Sequence, residues 1–253
     1  MKTYEIAGLE FGGGSPPGLP KLCIPLTAGD LPALNAQLLA AEALPADLYE
    51  LRADFLYGGA GPALRLLNEK SSRPVLCTLR TKPQGGQMEL SPEEYESRIE
   101  EIIGLGGFQL IDIELACGGA RASRLVGLAH EKGLGTVMSQ HCFQNTPPQA
   151  RMVETLLRMK ALGADLPKLA VMPQTPGDVL ALLAATLEAA EQIGPVITMS
   201  MGELGKISRV CGGLTGSCMT FGAGAEASAP GQLPADRLWE ILRDLTPGKG
   251  ERP

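Results

Sequence analysis

Eight short apolar runs, each followed by a stretch with helical spacing, recur along the 253 residues. The runs occupy residues 21–27, 48–56, 75–80, 108–115, 136–141, 168–172, 196–201 and 218–223. Several are nearly continuous apolar stretches without strict alternation, as parallel strands covered on both faces are. Helical spacing fills residues 31–43, 63–69, 92–103, 121–132, 147–162, 176–192, 204–210 and 235–245. Ser91-Pro92-Glu93-Glu94 and Thr146-Pro147-Pro148-Gln149 match a capping box with proline in the first turn. Thr175-Pro176 repeats the cap-plus-proline pattern. The segment 204–210 is short and interrupted by Gly205.

This alternation predicts an α/β fold, a closed (β/α)8 TIM barrel, with a short N-terminal β-hairpin at residues 4–6 and 9–11. The whole chain, 1–253, reads as one domain with a polar tail at 246–253 that frays. Glycine, at 32 residues, is enriched over the usual ~7%, which suits many tight strand-to-helix turns. A doubly wound open sheet would need a glycine-rich phosphate turn. Gly222-Ala223-Gly224 lacks the third glycine and follows the last strand. Gly205-Lys206 is no P-loop end, because Ile207 replaces Ser/Thr and Ser200 stands where the first glycine must be.

The net charge of -6 and pI near 5.1 give no electrostatic footprint for nucleic acid. No apolar run approaches the ~18 residues of a membrane span. The first 22 residues carry Lys2, Glu5, Glu10 and Gly12-Gly13-Gly14, unlike a secretory signal. Six cysteines without a C-x-x-C spacing suggest free thiols in a cytoplasmic protein, and two histidines cannot build a histidine-rich metal centre. The expectation is therefore no metal and no cofactor.

In such a barrel the chemistry sits where strands end and βα loops begin. Glu50, Arg52 and Asp54 alternate along the second run, which would point all three side chains one way. Arg80 ends the third run, Glu114 lies near the end of the fourth and His141 ends the fifth. Lys168 opens the sixth, and Arg209 follows the seventh. Each has a plain structural reading: arginines pair with carboxylates, single histidines sit satisfied, and strand-start lysines reach to solvent. Their joint placement on one rim favours a site without naming a reaction.

Several strings together resemble the type I 3-dehydroquinate dehydratase family, the Schiff-base class of the shikimate and quinate pathways. They are Glu50-Leu51-Arg52-Ala53-Asp54, Arg80 with Gly85-Gly86, and Ile111-Asp112-Ile113-Glu114-Leu115. Ser139-Gln140-His141 follows with Phe143 and Thr146-Pro147, and then Pro167-Lys168-Leu169-Ala170-Val171-Met172-Pro173. The last are Met199-Ser200-Met201, Ser208-Arg209 and Ala227-Ser228-Ala229-Pro230-Gly231-Gln232, so that the likeness spans residues 50–232.

The resemblance implies syn loss of water from 3-dehydroquinate through an imine on Lys168, with His141 as the proton shuttle. It also implies that Arg209, Ser228 and Gln232 hold the substrate carboxylate, and that Glu50, Arg52 and Arg80 hold ring hydroxyls. A homodimer is expected on the same ground. Two positions depart from the family pattern. Gln84 stands where a glutamate supporting the histidine is common, with Glu114 as another candidate support, and Cys142 stands where aspartate commonly follows the histidine. The alternatives are a Schiff-base aldolase-like barrel that also uses Lys168, or a degenerate barrel that only binds. The stretch 223–232, rich in Gly, Ala, Ser and Pro, reads as a lid over the active face.

Overall fold

The computed structural model describes residues 3–12, 18–224 and 228–245. The tail at 246–253, and residues 225–227 of the expected lid, lie outside the described residues. The hairpin is present as β1 (Thr3–Ile6) paired antiparallel with β2 (Leu9–Gly12). The barrel strands are β3 (Lys21–Leu26), β4 (Leu48–Arg52), β5 (Val75–Thr78) and β6 (Leu110–Glu114). They continue with β7 (Gly135–Cys142), β8 (Leu166–Val171), β9 (Ile197–Ser200) and β10 (Met219–Phe221). All are parallel, in the order β10-β3-β4-β5-β6-β7-β8-β9. A bridge between Val196 and Ser217 brings the last edges together, with the Cys218 N–H donating to the Val196 carbonyl at 2.8 Å.

The helices are α1 (Leu31–Glu42), α2 (Ala60–Lys70), α3 (Pro92–Leu105), α4 (Gly119–Glu131) and α5 (Gln149–Ala161). They are followed by α6 (Pro176–Ile193), α7 (Lys206–Val210), α8 (Gly212–Thr215) and α9 (Ala235–Leu245). None among the described residues is long and apolar enough to cross a membrane. Ser91 and Glu94 form the expected capping box on α3, and Thr175 forms one with Asp178 on α6. The third expected cap fails. Pro147 and Pro148 disfavour helical backbone in the residues before them, so α5 starts only at Gln149, and the Thr146 hydroxyl is buried without a partner among the described residues.

Two apolar regions carry the fold. The larger lies between strands and helices, and includes Leu38, Tyr49, Leu64, Ile99, Leu125, Leu156, Leu182 and Leu238. The smaller fills the lower barrel interior with Cys23, Leu48, Leu76, Leu110, Val137, Leu166, Ile197 and Met219. The fully buried Phe11 of β2 belongs to it, with Ile6 and Leu9 packed alongside, so the hairpin stoppers the barrel floor. Gly135 makes room for this stopper, since a Cβ there would sit 2.3 Å from Ile6 Cγ2.

Three of the boundaries that differ from the sequence expectation bear on the site. β4 stops at Arg52 and a 3-10 turn covers Ala53–Phe55, so Asp54 leaves the row of Glu50 and Arg52 and curls back onto Arg52. Lys168 does not open its strand. Leu166 and Pro167 pair with Val137 and Met138 first, which sets Lys168 deeper in the barrel. Arg80 lies two residues beyond the end of β5.

Candidate active site

Period-two alternation places a polar layer directly above the apolar floor. Glu50 stands above Leu48, Thr78 above Leu76, Asp112 above Leu110, Ser139 above Val137 and Lys168 above Leu166. All five polar side chains are buried, so each needs partners. Lys168 Nζ lies 3.3 Å from Asp112 Oδ2, 3.8 Å from Glu50 Oε1 and 4.5 Å from the centre of the Phe221 ring. Thr78 Oγ1 donates to Glu50 at 2.9 Å.

Arg80 crosses this layer, with Nη2 2.7 Å from Asp112 Oδ2 and Nη1 3.1 Å from Glu114 Oε1. Its Nη1 also donates to Ser139 Oγ at 2.7 Å, and Ser139 in turn donates to Asp112 Oδ1 at 2.5 Å. Burial opposes the charge on Asp112, but Arg80, Lys168 and the Ser139 hydrogen bond outweigh it and hold the carboxyl well below the usual range. Burial likewise opposes the Arg80 cation, and Asp112 and Glu114 over-compensate, so its guanidinium stays protonated. Glu114 receives the Thr81 N–H at 2.9 Å and the Thr81 hydroxyl at 2.6 Å, yet burial still raises its carboxyl.

His141, one residue before the end of β7, lines the same cavity as Arg80 and Lys168. Burial lowers its imidazole well below the ordinary histidine value, helped by the charges of Arg80 and Lys168, which leaves a neutral ring at pH 7. Its Nδ1 is buried without a partner among the described residues, while Phe143 stacks nearly parallel at 6.1 Å between ring centroids. Gln84 does not support the ring as expected. Its Oε1 accepts the backbone N–H of His141 at 2.7 Å, because the 3-10 turn Lys82–Gln84 lies beside the strand end. Gly85 fits this turn twice over, with φ of 88° and no room for a Cβ, which would lie 2.3 Å from Phe143 Cζ. Glu114 does not support the imidazole either, being committed to Arg80 and Thr81. Cys142, the second departure from the family pattern, packs against the outer core of strands and helices.

The third wall comes from α7 and the loop after β10. Arg209 is 2% exposed and meets no carboxylate among the described residues. Its Nη2 donates to the Pro230 carbonyl at 2.9 Å, its Nε has no partner among the described residues, and burial pushes its pKa down to about 10. Ser228 and Gln232 face each other: Gln232 Oε1 accepts the Ser228 N–H at 2.7 Å, and Gln232 Nε2 donates to Ser228 Oγ at 3.0 Å. Gly231, with φ of 76°, lets this loop touch the β9 end, since a Cβ would lie 2.3 Å from the Gly202 carbonyl oxygen.

Lys168, His141, Glu50, Arg52, Arg80, Arg209, Ser228, Gln232 and Gln84 all line one cavity, with Met199, Met201, Phe143 and Phe221 as its apolar surface. Of the residues singled out from sequence, Glu114, Asp54 and Cys142 stand outside, Glu114 behind Arg80 and Asp54 behind Arg52. Sequence reading gave no role to Asp112, Ser139, Thr78 or Phe221. The signal for Asp112 was available, because it sits two residues before Glu114 inside an apolar run and must share its face. Among the described residues, no group of three His, Cys, Asp or Glu side chains could hold a metal ion. Chemically, the cavity brings together a lysine amine, a neutral imidazole and a guanidinium that meets no carboxylate among the described residues.

Comparison with known proteins agrees with this chemistry. The family model for type I 3-dehydroquinase matches residues 22–248. The 3-dehydroquinate dehydratase of Listeria monocytogenes is 38% identical over 252 residues, covering 96% of this chain and 97% of that one. That of Clostridium novyi is 39% identical over 250 residues, covering 96% and 97%. The structure of type I 3-dehydroquinate dehydratase from Clostridium difficile, with covalently modified comenic acid, superposes with a TM-score of 0.90. It is 35% identical, covering 96% of this chain and 98% of that one. A 3-hexulose-6-phosphate synthase from Salmonella typhimurium, 16% identical with a TM-score of 0.57, covers 88% of this chain and 99% of its own, and shares the fold alone. The chain belongs to the type I 3-dehydroquinase family.

Proposed function

We propose that this chain dehydrates 3-dehydroquinate to 3-dehydroshikimate through an imine on Lys168. The observation that carries this reading is the cavity itself, where Lys168 and His141 share one space with the guanidinium of Arg209, which meets no carboxylate among the described residues. Arg209, Ser228 and Gln232 take the substrate carboxylate, the guanidinium gaining the anion it lacks. Glu50, Arg52 and Arg80 face the ring hydroxyls. Arg52 is turned by its two bonds to Asp54 at 2.9 and 2.8 Å, and Arg80 by its carboxylates, so both are preset.

Lys168 Nζ attacks the ketone carbon as a free amine, and loss of the former ketone oxygen as water leaves an iminium. The iminium withdraws electrons from the adjacent carbon, and neutral His141 removes a proton there to give an enamine. The enamine electrons then expel the β-hydroxyl, which leaves as water with the proton returned by His141. Hydrolysis of the remaining imine consumes one water and frees Lys168, so one water is lost per turnover. The single-domain organisation, a homodimer and a cytoplasmic location complete this reading, and sedimentation velocity tests the dimer.

The test of function is turnover of 3-dehydroquinate, followed by absorbance of the conjugated enone, with and without a chelator. Formation of the enone at an equal rate in both arms is the expected result. A protein that binds 3-dehydroquinate without turning it over is the degenerate barrel, and one that cleaves a phosphosugar instead is the aldolase-like alternative.

A further inference from the structure

We infer that Asp112 is a positioning residue of this reaction, the fixed anionic partner of the Lys168 nitrogen before and after it becomes an iminium. The inference rests on the imine chemistry proposed above. Two carboxylates approach Nζ, and they differ in setting. Glu50, at 3.8 Å, lines the cavity and is free to meet substrate. Asp112, at 3.3 Å, is fully buried and outside the cavity lining, so it reaches the nitrogen from the barrel side.

Imine formation changes what the nitrogen can do. An ammonium has three N–H donors and can turn about its stem, whereas an iminium has one N–H and is fixed by its double bond to the substrate carbon. Its positive charge then needs an anion that is already in place. Asp112 is held independently of Lys168, by Arg80 Nη2 at 2.7 Å on one oxygen and Ser139 Oγ at 2.5 Å on the other. It therefore keeps its position when the lysine loses donors. A pre-set anion beside a developing cation needs no reorganisation at the moment of reaction.

The plain alternative is that Asp112 serves only to neutralise Arg80. Glu114 makes the same kind of contact with Arg80, at 3.1 Å, and makes none with Lys168. It is the natural control. Asp112→Asn keeps the shape and removes the charge. It should lower kcat on the order of 100-fold, leave KM within a few-fold, and reduce the fraction of Lys168 trapped by borohydride at saturating 3-dehydroquinate. Glu114→Gln should leave the trapped fraction near that of the parent.

Equal trapped fractions and equal kcat losses in the two variants would overturn the inference, since both would then act through Arg80. If Asp112→Asn does not fold, Ser139→Ala replaces it. Loosening the carboxylate should lower trapping more than Glu114→Gln does, and equality again overturns the inference. Absence of any Lys168 adduct in the unaltered enzyme would instead refute the imine reading itself.

Discussion

Two residues along each strand separate the floor of this barrel from its reactive layer, and the two layers are filled by opposite chemistry. Below lie Leu48, Leu76, Leu110, Val137 and Leu166, capped by Phe11 from the hairpin. Above lie Glu50, Thr78, Asp112, Ser139 and Lys168. Apolar burial in the floor stabilises the fold by roughly 25 cal/mol per Å² removed from water. Each charge in the layer above costs several kcal/mol of desolvation unless it is paired, at best breaking even. The floor is therefore where stability comes from, and the upper layer is where some of it is spent on holding reactive groups in place. Arg209 marks the extreme, a buried cation that meets no carboxylate among the described residues.

This contrast breaks if a floor residue proves catalytic or a mouth residue proves stabilising. The largest expected effect is on the floor. Phe11→Ala should cost about 3–5 kcal/mol of unfolding free energy in urea, while the folded protein keeps its kcat. A collapse of kcat in a protein that still unfolds cooperatively would show that the floor and the site are not separable.

Arg209→Leu should do the reverse. Removing a buried cation that meets no carboxylate among the described residues should raise stability by about 1–2 kcal/mol, and KM for 3-dehydroquinate should rise on the order of 100-fold as a charge-assisted contact is lost. Unfolding and steady-state kinetics on the same preparation measure both. A destabilised variant would mean that Arg209 is already balanced within the fold.

The smallest expected effect sharpens the account of His141. Its neutral form is the base, and its pKa lies below the ordinary 6.5, so the acidic limb of kcat/KM should fall below that pH. Gln84→Glu can keep the 2.7 Å bond to the His141 backbone while bringing a negative charge close to the ring. A nearby anion favours imidazolium and raises the pKa, which should move the limb to higher pH by about half to one unit. Superimposable pH–rate profiles would show that residue 84 acts only on the strand end and not on the titration of the ring.

Much of this was legible in sequence, for identifiable reasons. Parallel strands buried on both faces leave continuous apolar runs, and capping boxes leave Ser91 and Thr175 at fixed offsets from Glu94 and Asp178. The cavity residues were legible through motif likeness, because Lys168, His141 and Arg209 stand in strings that resemble the type I 3-dehydroquinase family.

What was hidden depends on through-space contacts. Asp54 read as a strand residue, since nothing local announces that the chain turns at Ala53. Thr146 read as a cap because the rule does not foresee two prolines in succession. Gln84 was assigned to the imidazole, and only the position of its turn beside β7 directs its amide to the backbone. Asp112 shares the face of Glu114 within Leu110–Glu114, but its role was hidden because its partners come from β7, β8 and the loop after β5.

The central claim is that Lys168 is the nucleophile, and borohydride reduction during turnover tests it most directly. Reduction should inactivate the protein irreversibly, and peptide mass mapping should place a single substrate-derived adduct on Lys168. Lys168→Ala should form none, while His141→Ala should still form adduct with little turnover. An adduct on Lys21 or Lys206, or an enzyme that turns over 3-dehydroquinate at full rate with no adduct trapped, would contradict the account.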